Sequence, residues 1–262
     1  MSNLELGAWA NELLLLGIST MRIALAFAML PLFSTETIPA TVRNSILIAL
    51  GLVSLSLQPP IDFHDFKTFD WLAIFAKEAL VGFIIGFFFG AVLWALEAAG
   101  QIVDAKVGAT MAQVVDPLAG HQTSLNGAFL GRMANLVFIF SGGLALLVGV
   151  IIESYAVWPI AATFPRLAPA GLELFEAEFG RLMVLATLLS APILAVLFVI
   201  DLGLGLVNRF AQQLNVFQLS LSIKSFVATA MILLMLTGFI QAVINDVLSR
   251  PAALRSLLSA LR

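Results

Sequence analysis

Apolar side chains along this chain gather into six segments separated by short polar, proline-marked joints. The segments run roughly Leu13–Phe33, Ile46–Leu57, Ala79–Leu96, Phe129–Ile152, Met183–Val207 and Phe226–Val247. A helix needs about 20 apolar residues to cross about 30 Å of hydrocarbon. Four of the six segments meet that length or come close, and Ala79–Leu96 is somewhat short. Ile46–Leu57 would rise only about 18 Å at 1.5 Å per residue, so it spans only if Thr41–Ser45 join its helix. Pro31 and Pro39 separate the first two segments, and Pro59-Pro60 ends the second, because proline lacks a donor and disfavours helix in the residue before it. Asp116-Pro117-Leu118-Ala119-Gly120 reads as a turn, and Pro159, Pro165 and Pro169 break the region ahead of Glu173–Arg181. No repeat of fixed period appears. The pattern predicts an all-α integral membrane protein of about six apolar helical segments, forming a single helical domain over residues 1–262.

Composition supports the membrane assignment and removes several function classes. Of 262 residues, 61% are hydrophobic and 11% charged, with a mean hydropathy of +1.04, where a soluble domain carries about 25% charged residues. A net charge of −3 leaves no basic face for nucleic acid. The absence of cysteine excludes disulfides and thiolate chemistry. His64 and His121 have no ligand-spaced neighbours, and no phosphate-loop, GxSxG or HExxH pattern occurs. The expectation is therefore a non-enzyme with no metal and no cofactor. The first residues lack a basic region and carry Glu5 and Glu12, so they make a poor signal peptide. With six spans, Arg43, Lys106, Arg132, Arg209 and Lys224 fall on one side, and Lys67, Lys77, Arg166, Arg181, Arg250, Arg255 and Arg262 on the other. Five against seven barely discriminates, and the three arginines after the last segment, Arg250, Arg255 and Arg262, favour a cytoplasmic C-terminus.

Three features are candidates for function. Gly82, Gly86 and Gly90 recur every fourth residue and bare one stripe of a helix, with Phe83, Phe87, Phe88 and Phe89 as bulk between them. Small-residue stripes let helix backbones approach closely in membranes, either within this chain or against another subunit. Gly127 and Gly131 repeat the spacing once. Glu97, Gln101 and Asp104 share a helix face, and beyond Gly108 follows an Ala-, Val- and Met-rich run to Pro117. It reads as an interhelical loop or as a re-entrant, pore-facing one, since irregular backbone at membrane depth must face protein or a water-filled cavity. Finally, Arg22, Arg132, Asp201, Arg209 and Lys224 are charges within apolar surroundings. Interhelical ion pairs are the favoured reading, with Asp201 against Arg209 or Lys224, and a proton relay is the rarer one.

Several phrases in order carry a resemblance. They are Ile38-Pro39 then Arg43; Lys77-Glu78 then Gly82 and Gly86; Gly100, Asp104 and Gly108 then Asp116-Pro117; Trp158-Pro159; Pro192; and Asp201 then Asn208-Arg209-Phe210-Ala211-Gln212-Gln213-Leu214-Asn215-Val216-Phe217. From about Leu13 to Val247 the chain resembles the FliR/SctT family, an export-apparatus component shared by flagella and type III secretion injectisomes. Trp158-Pro159 and Ile223-Lys224-Ser225 lean towards the injectisome branch (SctT, also YscT, HrcT or SpaR). The family commonly has proline where this chain has Gln212 and Ser222, so the joint between the fifth and sixth segments is expected to be smoother here.

The resemblance implies an SctR-like unit joined to an SctS-like unit, largely as helical hairpins, in the bacterial inner membrane. It implies assembly with SctR/FliP-like and SctS/FliQ-like subunits, contact with SctU/FlhB-like and SctV/FlhA-like components and with membrane lipid, and passage of unfolded secreted protein. By position, 106–122 matches a loop that helps close the channel, with Gly108, Met111, Val114, Val115, Asp116 and Pro117 at its centre. Arg43, Glu78, Asp104, Asp201, Arg209 and Lys224 are then structural charges. Two other readings stand beside the export gate: a stand-alone small-molecule permease and a passive membrane scaffold.

Overall fold

The computed structural model describes residues 3–34, 38–56, 68–108, 124–161, 169–210 and 216–260. Among them lie eight α-helices and one 3-10 turn, with no strand: α1 (Asn3–Ala28), the turn Pro31–Phe33, α2 (Ala40–Ser56), α3 (Thr68–Val107), α4 (Leu125–Phe140), α5 (Gly143–Val157), α6 (Pro169–Phe210), α7 (Val216–Leu234) and α8 (Leu236–Ala260). The all-α expectation holds, while the count of six spans loosens. Two helices, Asp70–Val107 and Glu173–Phe210, are long and apolar enough to cross a membrane. The bent pairs Leu125–Phe140 with Gly143–Val157 and Gln218–Leu234 with Leu236–Arg255 raise the number to four if each pair makes one span.

The differences have local causes. Ala79–Leu96 is only the apolar centre of the 40-residue α3, because hydropathy registers apolarity and not the polar helical turns at either end. At 1.5 Å per residue α3 and the 42-residue α6 are each about 60 Å long, roughly twice the hydrocarbon thickness. Thr41–Ser45 do join α2. The fourth apolar segment breaks at Ser141-Gly142, where Gly142 takes φ +81°, a left-handed conformation that glycine adopts freely. The sixth breaks at Met235, with a 52° bend and no proline. Ser222 lies inside the continuous α7; Gln212 and the rest of 211–215 lie outside the described residues. Pro169 opens α6, and Pro192 sits within it.

The chain forms two compact units, interleaved in sequence: Met1–Gly90, Gly142–Glu178 and Leu248–Arg262 in the first, Ala91–Ser141 and Phe179–Val247 in the second. In the first, α1 crosses α3 at the glycine stripe. A methyl at Gly82 would collide with the Arg22 carbonyl oxygen, and one at Gly86 would lie 2.8 Å from the Ala26 Cα. Close crossing of this kind needs bare Cα atoms. Gly90 is buried as well. Phe87 packs on Phe175 at 4.8 Å between ring centroids, and Phe88 and Phe89 are buried. In the second unit Ala91 and Ala95 of α3 meet Leu182 and Ala186 of α6, with Trp94, Ala98 and Leu185 around them. The most apolar stretch of α3 is 78% buried within the chain, whereas that of α6 is 22% buried.

Candidate functional site

The second unit builds its polar centre at the end of α3. Gly100 and Gly127 bring α3 and α4 together: a methyl on Gly100 would stand 2.6 Å from Gly127 Cα and from the Asn126 carbonyl, and one on Gly127 would stand 2.8 Å from Gln101 Cγ. Gly131 faces the Glu97 side chain one turn on. Of the three polar residues on this face, Gln101 donates to Glu97 Oε1 at 3.2 Å, and Asp104 reaches the start of α4. There its buried carboxylate accepts from the Ser124 hydroxyl, from the Asn126 backbone N–H at 2.9 Å and from Asn126 Nδ2 at 2.5 Å. Ser124 is itself the N-cap of α4, its Oγ accepting from the Gly127 N–H at 3.0 Å. A carboxylate at the positive end of a helix, satisfying its free N–H groups, is favourable on both counts. Asp104 thus ties residue 104 to residues 124 and 126, the two flanks of segment 109–123.

Two lysines converge on one carboxylate in the same unit. The Asp201 carboxylate on α6 pairs with Lys106 Nζ of α3 at 2.8 Å and with Lys224 Nζ of α7 at 3.0 Å. Lys106 also lies 6.0 Å from the Phe198 ring centroid. These groups are half-buried, and together they join three helices. Gly108, with φ +87°, ends α3 in the left-handed region, where a methyl would come within 2.9 Å of Leu221 Cδ2 on α7. Gly108 therefore suits glycine on two grounds, conformation and space.

The first unit holds a second polar centre, entirely buried. Arg22 makes a two-pronged pair with Glu78, Nε to Oε2 at 2.7 Å and the second nitrogen to Oε1 at 2.9 Å. It also donates to Ser154 Oγ and the Trp158 carbonyl, each at 2.9 Å, and lies 4.0 Å over the Tyr155 ring. Lys77 stands 3.3 Å from Glu78 Oε1 and donates to the Pro159 and Ile160 carbonyls at 2.8 and 2.7 Å. Three successive carbonyls are thus held by two cations. Arg43 caps nearby chain, donating to the Phe33 carbonyl at 3.3 Å.

Against the sequence reading, Asp201 meets Lys224 as one alternative had it, and Lys106 besides. Arg209 and Arg132 are exposed. Met111, Val114, Val115, Asp116 and Pro117, with both histidines, lie outside the described residues; Gly108 is the one member of that set within them. Sequence reasoning missed the pairing of Arg22 with Glu78, that of Arg250 with Glu178, and that of Arg181 with Asp246. Only Arg22 and Asp246 gave a signal, as charges inside apolar runs; Glu78, Glu178, Arg181 and Arg250 lie at the edges of such runs, where a charge is unremarkable. Among the described residues no group of side chains could hold a metal ion.

Comparison with known proteins agrees with this frame. Residues 13–249 match the family described as "Bacterial export proteins, family 1". The chain is 32% identical over 214 residues to "Yop proteins translocation protein T" of Yersinia pestis, covering 81% of this chain and 82% of that protein. It is 32% identical over 228 residues to "Secretion system apparatus protein SsaT" of Salmonella typhimurium (86% and 88%) and 32% identical over 230 residues to "Flagellar biosynthetic protein FliR" of Bacillus subtilis (86% and 86%). Matched along nearly its whole length by injectisome and flagellar relatives alike, this apolar, all-helical chain belongs to the FliR/SctT family of bacterial export proteins.

Proposed function

We propose that the chain is a core component of the inner-membrane export gate of a type III secretion system, and that it helps form and close the protein-conducting channel. Family membership carries the export role. The gating role is supported by the Asp104 tie, which fixes both flanks of segment 109–123 to one rigid helix pair. An apolar segment held at its base blocks water and ions by dewetting and needs no chemistry. Gly108, Met111, Val114, Val115, Asp116 and Pro117 would form that closure, and unfolded substrate would displace it. The chain works as one unit over 1–262 with SctR/FliP-like and SctS/FliQ-like subunits, and meets SctU/FlhB-like and SctV/FlhA-like components. Its C-terminus is cytoplasmic, and its role is structural rather than enzymatic.

The test is a deletion of Ala109–Val115 in the assembled complex. Ion conductance across the inner membrane should rise while co-purification with the partner subunits persists. Unchanged conductance with the complex intact rules out the closure role.

A further inference from the structure

One face of α4 stands uncovered in the second unit. The opposite face packs on α3 through the buried Gly127 and Gly131. Outward lie Leu125, Phe129, Arg132, Leu136, Ile139 and Phe140, all exposed. Steps of three and four residues align them as one stripe along the helix. Five of the six are apolar, and the cation stands at the centre, about two turns from either end of α4. Among the described residues no group pairs with the Arg132 side chain. Arg209, also exposed and without a carboxylate, differs in place: it lies in the last turn of α6, where the helix dipole favours a cation. No such support reaches Arg132.

We infer that this stripe is the docking face for an apolar helix of a neighbouring membrane subunit, one that carries an Asp or Glu opposite Arg132. With α5, α4 forms a bent pair apolar enough to make one membrane span. Lipid tails cover the five apolar side chains without help, but they offer nothing to a guanidinium. Charges at membrane depth pair with one another, and the planar fork of arginine matches a carboxylate. A lipid phosphate is the poorer fit, because Leu125 and Phe129 on one side and Leu136, Ile139 and Phe140 on the other separate Arg132 from both helix ends. Association inside a bilayer rests on packing and polar contacts rather than on hydrophobic burial. The ion pair therefore fixes the register of the partner helix, and the apolar residues around it supply the packing.

The experiment places a photo-crosslinking amino acid at Phe129 or Leu136 in the assembled complex and maps the adducts by mass spectrometry. Arg132→Met, Arg132→Lys and Arg132→Glu are compared for co-purification of the crosslinked subunit, normalised to the level of this chain in membranes. Expected are adducts on an apolar helix that carries an acidic residue. Arg132→Met and Arg132→Glu should cut recovery of that subunit about tenfold or more, because a carboxylate is left buried and unpaired; Arg132→Lys should cut it less. Replacing the mapped acidic residue by arginine should restore recovery with Arg132→Glu. The inference is overturned by adducts with lipid alone, by adducts on a segment without a carboxylate, by unchanged recovery with Arg132→Met, or by failure of the charge swap. It takes from the export-gate reading only the presence of neighbouring subunits. A complex that still co-purifies with adducts to lipid alone sinks this inference and leaves that reading standing.

Discussion

Replacing Glu78 by glutamine tests how the buried charge centre holds. Arg22, Lys77 and Glu78 are 0%, 1% and 0% exposed, so solvent screens none of them. Glu78 is the carboxylate that both cations share. Glutamine keeps the shape, removes the charge, and turns an NH2 group towards donors that have lost an acceptor. Breaking a buried pair by removing one partner costs about 3–5 kcal/mol, against a total stability of about 5–15 kcal/mol for a domain. At about 1.4 kcal/mol per tenfold, the ratio of folded to unfolded chain should fall by a factor of about a hundred to a few thousand. The assay is the unfolding midpoint of the assembled complex, with the level of the chain in membranes. Glu153→Gln is the control: its partner Arg255 pairs at 3.0 Å, but the two side chains are 43% and 65% exposed, and exposed pairs contribute little. The reasoning fails if Glu78→Gln is no more harmful than Glu153→Gln.

Other perturbations discriminate the remaining contacts. Gly86→Ala puts a methyl against the Ala26 backbone and should cost about 1–3 kcal/mol through overpacking, whereas Gly149→Ala, with nothing within 4 Å, should gain about 0.5–1 kcal/mol as a helical substitution; paired melting curves decide. Asp104→Asn leaves one acceptor oxygen where two served three donors, and should lower stability by about 1–3 kcal/mol and raise the resting ion leak in conductance measurements. Asp201→Asn leaves Lys106 and Lys224 facing each other without a counter-charge; because both are partly exposed the loss should be at most about 1 kcal/mol, and should shrink further in high salt.

Length arithmetic made the extension of α2 over Thr41–Ser45 legible, since 12 apolar residues could not span. The common face of Glu97, Gln101 and Asp104 was legible from helical spacing, and so was the bare stripe of Gly82 and Gly86. What that face and that stripe meet was not. Arg22 and Glu78 lie 56 residues apart, and one sequence holds no record of contacts at that separation. The break at Ser141-Gly142 was hidden because glycine in an apolar run reads equally as a packing position. The bend at Met235 has no proline to announce it. Asp104 illustrates the general case: its spacing marked a polar face, but its partners Ser124 and Asn126 come from beyond a loop.

The contrast between α3 and α6 bears on what each helix can exchange with its surroundings. Both helices are apolar, but α3 spends its apolar surface within the protein and α6 retains Phe198, Val199, Leu202, Leu206 and Phe210 on its outside. In a bilayer lipid tails cover that face of α6 as readily as protein does, so any neighbour that docks there gains no hydrophobic driving force and must compete with lipid through shape alone.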